Sequence, residues 1–190
     1  MSSRATAAED TRERIRTAAL GLFAERGVEA TSLREVARRA EVAPGLVGHY
    51  FGSKDGLHEA VEDSVVALFR EALGSVPLDG PVAEVIAQRD AAVNAMFRAN
   101  PHAVDYLRRV VVTPGTADAR LVRKLLDEQI VQTRLLRDHG IGSDRVPITE
   151  QAVTVLVRQL GTWLLQPALG RLWRLSGAQG PSPEVRVTLR

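Results

Sequence analysis

Apolar positions recur at intervals of three and four along almost the whole chain. Ile15, Ala18, Ala19, Leu22 and Phe23 mark one face of a helix that starts from Asp10 and ends near Gly27. Asp10 and Glu13 have the spacing of a capping box at its start. The same signal is sharper at Ser32 and Glu35, ahead of Leu33, Val36, Ala37 and Ala40 on one face of about two turns. Pro44, a residue suited to a first helical turn, opens a third helix that runs to about Phe51. Ser53 caps a fourth, whose stripe is Leu57, Val61, Val65, Leu68, Phe69 and Leu73 and whose end is Gly74.

Past the loop VPLDGP the helical period continues over Val82–Ala99, Pro101–Val112 and Thr116–His139, broken at Asn100–Pro101 and Thr113–Pro114–Gly115. Pro147 precedes a last long segment from about Thr149 to Leu175, and the tail 176–190 reads as mobile or only partly structured. Alternation of β-branched and polar residues over a strand length is missing; VRVTL near the C terminus is the nearest case and is short. An all-α fold follows. Neither a repeat nor a heptad run is present, which removes solenoid and coiled-coil readings.

Composition narrows the function classes. With 45% hydrophobic and 25% charged residues in 190, the chain is an ordinary folded protein with room for one substantial core or a small module fused to a larger one. The absence of cysteine excludes disulfides, thiolate metal sites and a cysteine nucleophile. No run approaches the roughly 20 apolar residues that span a bilayer, and MSSRATAAED lacks a signal core, so the expected location is the cytoplasm, without a membrane partner. A net charge of +2 says little beyond a slight preference for anions.

The stretch AEVAPGLVGHYFGSK, Ala40 to Lys54, admits three readings. A nucleotide-binding P-loop needs Gly-Lys-Ser/Thr after a strand, whereas here the order is Gly52-Ser53-Lys54 after a helix. A bare structural corner is the second. The third is a helix-turn-helix: Leu33, Val36, Ala37 and Ala40 bury the first helix, Val42 fills the turn, and Val47, Tyr50 and Phe51 bury the inner side of the second. Pro44, Gly45, Leu46, Gly48 and His49 then face outward, small enough for close approach to base edges, with His49 able to bond a base or phosphate.

The run TRERIRTAALGLFAERGVEATSLREVARRAEVAPGLVGHYFGSKDGL resembles the N-terminal DNA-binding domain of the tetracycline-repressor (TetR) family of transcriptional regulators. The matching features are Ala-Leu-x-Leu-Phe-x-x-x-Gly, Thr31-Ser32-Leu33, Val36-Ala37, Ala40-x-Val42, Gly45, His49-Tyr50-Phe51 and Ser53-Lys54. The resemblance implies phosphate contacts from Thr31, Ser32, Tyr50 and Lys54, joined by Arg34, and major-groove contacts from Pro44, Gly45, Leu46, Gly48 and His49. Hydroxyls at a helix start and a lysine ammonium are ordinary phosphate donors, in agreement with the first set. Three positions depart from the family pattern. Glu41 stands where a glycine is frequent, so a positive φ there would be strained. Ala43 stands where a capping Ser or Thr is frequent, and Gly48 where an aromatic is frequent.

The resemblance further implies a domain of residues 1–53 that reads DNA, its first nine or so residues flexible, and a helical domain of residues 54–190 that regulates and dimerises. Dimerisation through 116–139 and 149–175 would present two reading helices to the half-sites of a palindromic double-stranded DNA operator. The broad apolar surface of Ala152, Val153, Leu156, Val157, Leu160, Leu164, Leu165 and Leu169 fits such an interface, and equally fits burial inside one subunit. Gly161 and Gly170 allow close approach or simply weaken that helix.

For a small-molecule effector the candidate pocket residues are those that interrupt apolar faces: Arg89, Met96, Phe97, His102, Tyr106, Gln129, Gln159 and Trp163. Each is equally an ordinary core or surface residue. Histidines at 49, 58, 102 and 139 lack zinc spacing and no Gly-x-Ser-x-Gly is present, so neither a metal nor another cofactor nor an enzymatic activity is expected. The expected function is a ligand-released repressor. A helical protein-interaction module and a ligand-independent regulator are the alternatives.

Overall fold

The structure, a computed structural model, describes residues 2–112, 119–185 and 187. Among the described residues it contains eight helices and no strand: α1 Ser2–Arg26, α2 Leu33–Arg39, α3 Pro44–Phe51, α4 Lys54–Gly74, α5 Val82–Ala99, α6 Pro101–Val112, α7 Ala119–Asp138 and α8 Ile148–Leu175. The expected Thr116 start of the seventh helix lies outside the described residues. None of the described helices is long and apolar enough to cross a membrane. The chain forms two compact units, Met1–Ala67 with Asn100–Leu121 and Leu68–Ala99 with Val122–Arg190.

The first helix begins earlier than its apolar face announces. Asp10 lies inside α1 and caps nothing, while Glu13 binds Arg16 and Thr17. Alanines and charged residues ahead of Asp10 are good helix formers with no breaker among them, so the helix propagates back through them. At the other end Gly27, at φ 85°, donates its N–H to the Phe23 carbonyl at 2.9 Å and closes the helix through a left-handed residue.

In the first unit Ile15, Ala19, Phe23, Val36, Ala37, Val47, Leu57 and Val61 are buried, and α6 packs along α1. Arg109 of α6 donates to the Ala24 and Glu25 carbonyls at 3.3 and 2.9 Å, satisfying the otherwise open end of α1. Between α4, α6 and α7 lies a polar cluster, buried at His58, Glu62 and Tyr106 and open at Asp55. Arg120 holds Glu62 at 2.5 Å, Asp55 at 3.2 Å and the His58 Nδ1 at 3.1 Å. Arginine only donates, so His58 Nδ1 accepts, and the proton on Nε2 goes to the Tyr106 hydroxyl at 2.7 Å. Burial works against the Arg120 charge, but the hydrogen bonds and attraction of Glu62, then of Asp55, outweigh it and raise its pKa.

The second unit packs Phe69, Val93, Phe97, Leu125, Ala152, Leu156 and Leu160, with Phe69 edge-on to Phe97 at 5.3 Å and Phe97 tilted on Trp163 at 5.2 Å. The described residues of the tail have no helix or strand, and several of them are bonded to α8. Trp173 donates to the Gly180 carbonyl, Gln166 to that of Pro183, and the Val185 amide to Gln166 Oε1, at 3.1, 2.9 and 2.7 Å. Gly161 is the close-approach site: a Cβ there would meet Val187 at 2.7 Å.

Two backbone features of the α2–α3 corner carry a measurable cost. Glu41 sits at φ 54°, and the Ala43 N-cap offers α3 no side-chain bond. Glu41→Gly is expected to raise unfolding stability by about 1 kcal/mol, and Ala43→Ser by a similar amount. Urea unfolding checks both. A lower midpoint for Glu41→Gly would show that the turn carries no strain.

Candidate nucleic-acid interface

Two short helices, α2 with a capping box and α3 without a side-chain cap, and the turn between them build the candidate surface. Ser32 Oγ accepts from the Glu35 amide at 3.2 Å while Glu35 Oε2 accepts from the Ser32 amide at 2.9 Å, the reciprocal box its spacing announces. The Ser32 backbone and hydroxyl donors, and after them Arg26, hold the exposed Glu35 carboxyl below its ordinary pKa. The turn that follows is pinned from a distance. Arg14, on α1, donates to the Ala40 and Glu41 carbonyls at 2.6 and 3.0 Å, and the Val42 amide returns to the Ala37 carbonyl at 3.0 Å. Gly56 then permits a tight α3–α4 corner, where a Cβ would stand 2.3 Å from the Phe51 carbonyl oxygen.

On this frame α3 buries Val47 completely and leaves Pro44, Gly45 and His49 exposed, with Leu46, Gly48 and Tyr50 half-buried. A Cβ on Gly45 or Gly48 would meet nothing within 4 Å, so both glycines face open space. Tyr50 meets the His49 ring edge-on at 5.3 Å.

The phosphate candidates separate into two groups. Arg34 is exposed, and Ser32 is exposed although its hydroxyl also donates to Glu35 Oε2 at 2.9 Å. Lys54 Nζ donates to the Glu29 carbonyl at 3.0 Å, which fixes the ammonium at the end of α3 and leaves it two further N–H donors. Thr31 departs from the expectation. It is 2% exposed and its hydroxyl donates to the Gly27 carbonyl at 2.8 Å, so it holds the loop after α1 together.

Charge pairing keeps Arg34 among the available cations and adds Arg38 and Arg12. Arg16, Arg26 and Arg39 are paired with Glu13, Glu35 and Glu25. Among the described residues Arg34 and Arg38, one helical turn apart on α2, have no carboxylate at ion-pair distance. Arg12 lies over the Phe51 ring at 5.7 Å, beside the Tyr50–Lys54 end of α3. The four-residue spacing of Arg34 and Arg38 was a usable signal. Nothing local in the sequence announces Arg12.

The pocket candidates do not form one set. Tyr106 is committed to His58 in the first unit, and His102 is exposed on α6 because the buried face of that helix runs through Ala103, Val104, Tyr106 and Leu107. Arg89, Met96, Phe97, Gln129 and Gln159 are buried in the second unit, with Trp163 half-buried against Phe97.

With Val36 and Ala37 of α2 and Val47 of α3 buried, Arg34 and Arg38 open on α2 and Lys54 anchored past the end of α3, the two helices form a helix-turn-helix. Residues 15–61 match the family model described as bacterial regulatory proteins, tetR family. That match covers 47 of the 190 residues and lies within α1–α4. An HTH-type transcriptional repressor of Mycobacterium tuberculosis is 50% identical over 58 residues, 30% of this chain and 31% of that protein. The chain thus spans about a third of the length of that relative. A TetR-family transcriptional regulator from Haemophilus influenzae, 19% identical, has the same fold over 90% of this chain and 93% of its own, with a TM-score of 0.70. A structure described as a SmeT–triclosan complex, 22% identical, matches over 85% of this chain and 82% of its own at 0.59.

Thr31 provides a test of this sorting. Thr31→Val is expected to cost about 1 kcal/mol of stability through the lost hydroxyl bond, while the salt dependence of duplex DNA binding stays unchanged. Urea unfolding and salt titration measure the two. A shallower slope would return Thr31 to the phosphate contacts.

Proposed function

We propose that the protein is a DNA-binding transcriptional regulator, a repressor that sits on a palindromic operator as a homodimer and is released by a small molecule. The observation that carries the reading is α3: Val47 is fully buried while Pro44, Gly45 and His49 on its other side are open, the arrangement of a helix that enters a major groove. Arg34, Arg38, Tyr50, Lys54 and Ser32 flank it as backbone contacts, and Leu46 and Gly48 complete the groove face. Residues 1–53 act as the reader and 54–190 as the regulatory part.

Dimerisation is supported by α7 and α8. Val131 and Leu135 on α7, and Val153, Val157, Leu165, Leu172 and Leu175 on α8, are exposed at 39–77%. On α8 these residues fall on one broad helical face, next to the buried Ala152, Leu156 and Leu160. An apolar stripe of that length on a protein surface marks a contact face. A twofold pair through it presents two copies of α3 to half-sites about one duplex turn apart. The structural relative bound to triclosan supports a ligand as the releasing signal. Release is a population shift toward a dimer whose α3 spacing no longer matches the operator.

Footprinting at modest salt is expected to show a protected palindrome near a promoter; protection of no such site overturns the reading. Lys54→Ala is expected to weaken binding to all duplexes alike and to make the salt slope shallower by about one. A changed base preference would contradict its assignment to the backbone. Val157→Asp is expected to convert the dimer to monomer in sedimentation velocity, and an unchanged dimer would move the interface away from α8.

A further inference from the structure

The interior of the second unit contains a charge imbalance. Arg89 of α5 is 5% exposed, and both of its hydrogen bonds go to neutral acceptors: the Leu73 carbonyl at 3.2 Å and Gln132 Oε1 at 2.7 Å. The two carboxylates nearest along this network are taken by other arginines. Glu128 receives Arg70 through Nε and Nη2 at 2.9 and 2.8 Å, and Gln132 stands between Glu128 and Arg89 as a relay, bonded to Glu128 at 2.9 Å. Asp90, next to Arg89 in sequence, receives Arg158 at 2.9 Å. Three guanidinium groups therefore share two carboxylates, and the buried guanidinium is the one without a carboxylate at ion-pair distance. A buried cation served only by neutral dipoles is unfavourable until an anion reaches it. Burial lowers the Arg89 pKa, and attraction to Asp90 offsets part of that loss.

A second, independent observation lies on α8. Gln159 is 8% exposed and its side-chain oxygen is buried with no hydrogen-bond partner. It follows Arg158, the residue that holds Asp90, so the same α5–α8 contact that positions Arg158 brings Gln159 into the unit that contains Arg89. Native interiors rarely leave such an acceptor unmet, and a donor brought by a ligand would satisfy it. The same unit also holds the buried apolar side chains of Val93, Met96, Phe97 and Leu156, with Trp163 half-buried against Phe97.

We infer that Arg89 anchors an effector site for a small monocarboxylate: its carboxylate pairs with the Arg89 guanidinium, a hydroxyl or amide N–H on it donates to Gln159 Oε1, and its apolar body lies against Phe97 and Trp163. Arginine suits this role because its planar fork matches a carboxylate and two of its five N–H groups are already oriented by Leu73 and Gln132. Gln132 and Glu128 are positioning residues, since they act on the ligand only through Arg89. The inference rests on the ligand-released regulator proposed above and names the chemistry of its signal.

The test uses the full-length protein, with hexanoate, phenylacetate and 4-hydroxyphenylacetate and their primary amides as probes, by thermal shift and calorimetric titration. At least one acid is expected to raise Tm and its amide to leave Tm unmoved. Arg89→Gln is expected to weaken that acid about tenfold or more, consistent with loss of a charged bidentate pair. Arg89→Lys, which keeps the charge, retains a measurable response and guards against loss of fold in Arg89→Gln, with helix content checked by circular dichroism. The absence of a shift with any acid, amides as effective as acids, or an unchanged affinity in Arg89→Gln would overturn the site. Mobility shift of duplex DNA in the same preparation separates the two claims. Intact DNA binding with no acid response overturns the anion site alone, whereas failure to bind any duplex overturns the regulator reading.

Discussion

Glu41 occupies the left-handed region at φ 54° without being glycine, and the arrangement of α2 against α3 depends on that one residue staying there. Its conformation turns the chain between α2 and α3, so that Val36, Ala37 and Val47 meet in one core while Pro44, Gly45 and His49 remain outside. A side chain in this region costs of order 1 kcal/mol and persists only when its surroundings over-determine it. Those surroundings are visible: Arg14 reaches from α1 to hold the carbonyls of Ala40 and Glu41, and the Val42 amide closes back on Ala37. The strain is stored beside the surface proposed above to read DNA.

Arginine plays two opposite parts in the two units. In the first it is a connector and a surface charge. Arg14 and Arg109 finish helices by binding carbonyls, Arg120 ties α7 to α4, and Arg34 and Arg38 stay open on α2. An almost balanced count of acids and bases therefore still leaves local positive charge at the interface, because specific carboxylates are consumed by specific arginines. In the second unit the same side chain is buried, and pairing elsewhere leaves Arg89 with neutral partners. Both effects come from which partner each guanidinium reaches, a property that a net charge of +2 does not contain.

Much of the reading domain was legible because its signals are local. The Ser32–Glu35 box, Pro44 at the first turn of α3, Ser53 bonded to the Gly56 amide and the three-four spacing of the apolar residues all act within one or two turns of helix. What escaped is of two kinds. Helix propagation through the alanines before Asp10 depends on the absence of a stop, which an apolar stripe does not report. Contacts such as Arg14 with Glu41, Lys54 with Glu29 and Arg109 with Ala24 join residues tens of positions apart, and their chemistry is shared by every other arginine or lysine in the chain.

By itself, then, the sequence determined that the chain is helical, where most helices begin and end, and which short helix offers small residues outward, since backbone hydrogen bonding and side-chain periodicity are local. Only the tertiary structure decided that Thr31 is an internal hydroxyl, that Tyr106 serves His58, that the tail lies on α8, and that Arg89 is buried among neutral groups. The physical reason is that burial and charge pairing depend on distances between elements remote in the chain. A residue's type specifies which bonds it is able to make, and the packing of its neighbours selects the one it does make.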